Sequence, residues 1–201
     1  MSALTRFLLW LSEGRLIWGL LFTGGLIAAL EEWRICLLLL LLQYTFVGLS
    51  LALWVPSHLA LAKIIVGAMI FFILYPTAQR GRQATGGSRF APSLYRWAGC
   101  LFAGLGAYGL FHRYPLPQAP PGLTLSSYFL LAMGLLAVIL ARDLFKAGLG
   151  LLTFQAGFEI FFTTLESGLV VAGLLGMVNI LLALATSYLA AAQLARRRKS
   201  P

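Results

Sequence analysis

The sequence predicts an all-α, polytopic bundle of transmembrane helices, and three observations carry that expectation. Sixty per cent of the 201 residues are hydrophobic and only 10% are charged, whereas a soluble domain has roughly a quarter of its residues charged. The apolar residues gather into runs at approximately 16–30, 35–54, 59–77, 94–111, 126–141, 146–165 and 167–191. Most of the basic residues behind the +9 net charge fall between or after those runs, where membrane topology calls for them. That placement argues against a nucleic-acid role.

A crossing takes about twenty residues at a rise of 1.5 Å each. The first, fourth and fifth runs reach that length by recruiting Gly14 and Arg15, Ser93, or Leu123 and Leu125 from their flanks, with long basic side chains snorkelling outward. Seven crossings follow, or six if the first run lies in the interface. Glu31, Glu32 and Trp33 follow the first run and offer no small-residue cleavage site, so it is expected to be kept as a membrane helix. Ahead of it, Leu4 and Leu8 recur on one side of a short segment, which reads either as an interfacial helix or as an extension of the first.

With the N-terminus outside, Arg34, then Arg80, Arg82, Arg89 and Arg96, then Arg142 and Lys146, and finally Arg196, Arg197, Arg198 and Lys199 all fall on the cytoplasmic side. Arg6, Arg15 and Arg113 fall outside. The positive-inside rule is met in every loop after the first helix, so a multi-pass protein of the cell inner membrane with a cytoplasmic C-terminus is expected. Pro115, Pro117, Pro120 and Pro121 make the fourth connection a stiff outer loop. Gly86, Gly87 and Pro92 suit a flexible cytoplasmic joint at 78–93 between helices 1–3 and 4–7. Its arginines suit anionic lipid headgroups. The whole chain, 1–201, reads as one integral membrane domain.

Polar residues at membrane depth carry the functional expectations. Glu159 stands in an apolar run, where a carboxylate must be paired, hydrated or protonated. Gln155, Glu159, Thr163 and Glu166 recur at helical spacing and outline one polar stripe. Lys63 lies about 6 Å and Glu159 about 9 Å from the outer ends of their helices. Lys63 therefore either pairs with Glu159 or snorkels to the surface. Gln43 and Asn179 fall near mid-membrane and organise water or bridge helices, with Ser50 and Thr186 on their respective faces. Gly99 with Ala103, and Gly168 with Ala172, form small-xxx-small pairs expected to admit a neighbouring backbone. Cys36 and Cys100 form no metal-ligand pair and read as buried small apolar groups. His58 and His112 are isolated. No nucleophile–base set or ligand cluster is visible, so no catalytic residue, cofactor or metal is expected.

Over about residues 141–191 the chain resembles the small K-type membrane subunits of complex I and of Mrp-type antiporters. In size and hydrophobic organisation it also resembles the hydrogenase-4 component E group. K-type subunits commonly carry a Glu four residues ahead of an Asn-Ala pair, and then a further Asn. Here Leu151 stands at the Glu position, Gln155 and Ala156 at the pair, and Phe158 at the later Asn. The resemblance implies coupled proton or cation translocation beside larger antiporter-like subunits, with lipids as the other partners. The expectation is therefore an accessory subunit of a respiratory, hydrogenase or Mrp-like complex, with Glu159, Lys63, Gln155, Asn179 and Gln43 along its proton or ion pathway. A purely structural helix-packing subunit of a redox or photosynthetic complex is the alternative, followed by an independent small-solute transporter.

Overall fold

A computed structural model describes residues 13–52, 57–85, 94–115, 120–165 and 168–199. Seven helices occupy them: α1 Glu13–Ala29, α2 Trp33–Leu51, α3 Ser57–Thr85, α4 Leu94–Arg113, α5 Pro121–Ile139, α6 Leu144–Leu165 and α7 Leu169–Lys199. Five of these, α2, α3, α5, α6 and α7, are long and apolar enough to cross a bilayer. The chain is a multi-span membrane helical protein. α1 is apolar but shorter, and α4 carries Arg96 near its start and Arg113 at its end. The segment before Glu13, expected as an interfacial helix or an extension, lies outside the described residues.

The helices form two four-membered rings that share a wall. α1, α2, α6 and α5 pack in sequence around one interior, and α2, α3, α7 and α6 pack around the second. α4 lies outside both, against α5 and α1. α1 belongs to the bundle: Leu16, Leu20, Ile27, Ala28 and Ala29 are at most 1% exposed. It runs beside α5, with Ile17 against Gly122 and Leu130 against Gly24, so it lies level with a helix long and apolar enough to cross.

Several local signals in the sequence fix the ends of these helices. Asp143 caps α6, its Oδ1 accepting the Lys146 backbone N–H at 2.7 Å, which satisfies one of the unpaired donors of a first turn. Pro121 starts α5, where a missing N–H costs nothing. α3 differs from the expected run, because its helix continues to Thr85. Residues 78–85 thus extend α3 beyond the apolar stretch, and 86–93, with Gly86, Gly87 and Pro92, lie outside the described residues. No proline falls between Ala78 and Thr85 to stop the helix. Pro76, inside α3, removes only one rung of its hydrogen-bond ladder.

The closest helix contact is made by glycines other than those expected. A β-carbon on Gly134 of α5 would lie 2.6 Å from Cα of Phe154 in α6, and one on Gly157 would lie 2.7 Å from the Leu131 nitrogen. Gly150 meets the Val138 nitrogen in the same way at 2.8 Å. α5 and α6 therefore touch backbone to backbone, as small residues allow in lipid. Of the expected pairs, Gly99 meets only the side chains of Leu136 and Leu140. Gly168 has only a side-chain atom of Val171 within 4 Å. Spacing by four residues did not identify the contact, because the α6 glycines recur by seven, Gly150 against the backbone of Gly134 and Val138 and Gly157 against that of Ser127 and Leu131.

Large apolar side chains point outward around the bundle, among them Phe22, Phe72, Phe102, Leu105, Leu174 and Tyr188. Lys63, Arg96, Lys146, Glu159, Gln43 and Asn179 point inward. That inversion is stable only where the surrounding solvent is itself apolar.

Candidate functional site

The second ring holds one polar side chain from each of its four helices. Lys63 of α3 is ion-paired through Nζ with Oε1 of Glu159 on α6. The Asn179 amide on α7 donates to the other carboxylate oxygen, Oε2, at 3.2 Å. The Tyr44 hydroxyl on α2 donates to Asn179 Oδ1 at 3.1 Å and has the Leu152 carbonyl as a second acceptor at 3.4 Å. All four residues are at most 7% exposed. One hydroxyl proton serves two acceptors, so Tyr44 satisfies Asn179 or Leu152 at any moment.

The local sequence brings the four together. Lys63 and Glu159 each lie six residues, about 9 Å, inside their helix ends. They meet because Ser57 and Leu165 mark the same end of the bundle. Gly48 lets α3 approach α2, since a β-carbon there would lie 3.1 Å from the Ala60 carbonyl oxygen. Gly67, one turn beyond Lys63, does the same for Tyr44, at 2.6 Å from its Cβ. A buried carboxylate without partners costs several kcal/mol, and both oxygens of Glu159 are engaged here. Of the two readings of Lys63, pairing is the one realised.

The other sequence-derived residues do not join this chain. Gln155 is partly exposed one turn before Glu159, and among the described residues no hydrogen bond ties it to the cluster. Thr163 is likewise partly exposed, and Glu166 lies outside the described residues. The expected stripe is therefore reduced to Glu159, because each four-residue step turns about 40° past a full turn and carries its neighbours off the ring interior. Gln43 is fully buried, but among the described residues neither of its amide atoms finds a partner, and the Ser50 hydroxyl likewise has none there. Tyr44 went unrecognised in the sequence. Its signal was a phenol in the middle of an apolar helix, where the hydroxyl needs a partner.

A second polar group closes the end of the bundle where α4 and α6 begin. Arg96 is 1% exposed and donates to the Leu140 carbonyl at 2.8 Å and the Ala28 carbonyl at 3.4 Å, while pairing with Glu31 at 3.1 Å. Arg142, half-exposed, also reaches Glu31 at 3.6 Å and donates to the Tyr95 hydroxyl at 2.9 Å. The Tyr95 hydrogen bond first, and then the Glu31 charge, hold its guanidinium further above its usual range. Lys146 Nζ donates to the Ile27 carbonyl and to Cys36 Sγ, so Cys36 is a hydrogen-bond partner as well as a small buried group. Trp33 stacks on Phe145 at 4.4 Å and donates to Asp143 at 3.1 Å. Read from sequence, Arg96 and Lys146 served topology; the structure also gives them the task of saturating helix-end carbonyls.

Among the described residues no group of three or more His, Cys, Asp or Glu side chains is placed to hold a metal ion. His112 is exposed beside Tyr108, with ring centroids 4.5 Å apart. Chemically, the second ring offers an acid and a base in contact, each able to hold or release a proton, and a phenol linked to them through an amide. No protein-family profile, no curated protein and no solved structure matches this chain.

Proposed function

We propose that this protein is an accessory membrane subunit that supports proton or cation translocation within a larger respiratory, hydrogenase or Mrp-like complex of the cell inner membrane. The observation that carries the reading is the Lys63–Glu159 pair, enclosed by four helices and continued through Asn179 to Tyr44. Within that pair a proton shifts between amine and carboxylate without either group entering hydrocarbon alone. Asn179 does not titrate; it orients the carboxylate and holds the phenol. The K-like region at 141–191 supplies both α6 and most of α7, which is the reason for placing the chain beside antiporter-like subunits. The N-terminus is taken as outside and the C-terminus as cytoplasmic, since the basic residues gather at the Arg96–Lys146 end.

The test is purification of the native complex in mild detergent, identification of its components by mass spectrometry, and ion-transport measurement on Glu159→Gln in complexes matched for assembly. Co-purified antiporter-like subunits with transport lost in the variant support the proposal. A chain that purifies alone and is fully active in isolation overturns it. The complete pairing of Glu159 favours one second reading, a helix-packing subunit that conducts nothing. In that case Glu159→Gln lowers thermal stability while transport in the assembled complex is unchanged.

A further inference from the structure

The first ring carries polar groups that no side chain among the described residues answers. Gln43 of α2 and Ser126 of α5 are 0% exposed, yet among the described residues the Gln43 amide and the Ser126 hydroxyl make no hydrogen bond. Their placement follows from the contacts around them. Phe46 of α2 rests on Gly19 of α1, and Leu130 of α5 rests on Gly24 while also touching Gly157 of α6. Leu130 therefore fills the ring interior. Ser126 is one turn away on the same helix face. Gln43 is three residues from Phe46 and shares its side of α2. At 1.5 Å per residue, Gln43 and Ser126 lie within about 3 Å of the same depth, between the levels of the two α1 glycines.

Ser50 continues this face of α2. It follows Gln43 by seven residues, so it lies on the same side about 10 Å nearer the helix end, and its hydroxyl is also buried without a partner among the described residues. Nearby hydroxyls are already engaged by their own helices: Thr23 donates to the Gly19 carbonyl at 2.8 Å and Ser127 to the Thr124 carbonyl at 3.3 Å. The unanswered groups are a neutral amide and two hydroxyls, donors and acceptors together, with no carboxylate among them. That set matches water, which needs two to four polar partners of both kinds.

We infer that the first ring binds an internal water cluster, held between Gln43 and Ser126 and extending along α2 toward Ser50. Gln43 and Tyr44 are consecutive, so α2 presents one polar residue to each ring. The hydrated ring then lies directly behind the phenol that ends the Lys63–Glu159–Asn179 chain. A role for this water in feeding protons to Tyr44 rests on the proposed function; the water site itself does not.

X-ray radiolytic labelling in heavy-oxygen water, on the full chain in lipid nanodiscs, tests the site directly. Leu130 and Leu74 are both 0% exposed leucines, the first beside Ser126 and the second in α3 of the other ring. Leu130 is expected to take up label at least about fivefold faster than Leu74, because bound water generates the radical in place. In the Gln43→Leu/Ser126→Ala double variant the Leu130 rate falls to that of Leu74. Equal rates for the two leucines in the unaltered protein overturn the proposal, and that comparison stands even if the double variant does not fold. Loss or retention of transport in Glu159→Gln leaves this readout unaffected, so the two proposals fail separately.

Discussion

Gly67 and Tyr44 meet across the α2–α3 contact so closely that a β-carbon on the glycine would lie 2.6 Å from Cβ of the tyrosine. The buried polar chain depends on this approach, because Tyr44 reaches Asn179 from a helix that α3 would otherwise hold away. Gly67→Ala is expected to displace the phenol and destabilise the protein by about 1–3 kcal/mol through overpacking. Tyr44→Phe keeps the packing and leaves Asn179 Oδ1 unanswered, at a cost of about 1–3 kcal/mol. Thermal unfolding in detergent measures both, and an unchanged Tm for Gly67→Ala would contradict the close contact.

The Lys63–Glu159 pair is expected to show strong coupling in a double-mutant cycle. Lys63→Met alone strands a carboxylate inside the bundle and costs about 3–5 kcal/mol. Lys63→Met combined with Glu159→Met is expected to recover most of that loss, since two apolar side chains replace two charges. Unfolding midpoints of the two single variants and the double variant check this. Additive losses would mean that the two groups do not interact.

At the other end of the bundle, two arginines on one carboxylate are expected to differ sharply. Arg96 is 1% exposed and serves two helix-end carbonyls besides Glu31. Arg96→Ala is expected to cost about 2–4 kcal/mol, as removal of a buried charged donor does. Arg142 is exposed, its Glu31 contact is screened by solvent, and Arg142→Ala is expected to leave the Tm nearly unchanged. The contrast is read by thermal unfolding at low and at high salt, where the Arg96 effect persists.

Glycines separate by surroundings rather than by spacing. Gly134→Ala and Gly157→Ala each place a carbon against backbone of the facing helix, which cannot yield as a side chain does. Each is expected to destabilise by about 1–3 kcal/mol. Gly173 has open space around it, and Gly173→Ala is expected to stabilise α7 by about 0.5–1 kcal/mol through helix propensity. Chemical denaturation of the three variants reads the sign of each change.

The sequence by itself determined the class of the protein, because hydrophobic runs near bilayer length and basic residues between them follow from the cost of exposing backbone or charge to lipid. It also picked out Lys63, Glu159, Asn179 and Gln43 as residues that lipid would penalise, and depth along each helix brought Lys63 and Glu159 level with each other. What it left open was which helices adjoin and how each is rotated about its axis. Rotation decided that Glu159 faces the ring while Gln155 turns partly outward. Adjacency decided that Tyr44 and Gln43, consecutive on α2, serve different rings, and that Gly134 meets α6 while Gly173 meets open space. Those choices rest on side-chain shape across helix interfaces. A linear pattern of apolar residues, nearly uniform around helices immersed in lipid, carries little of that information.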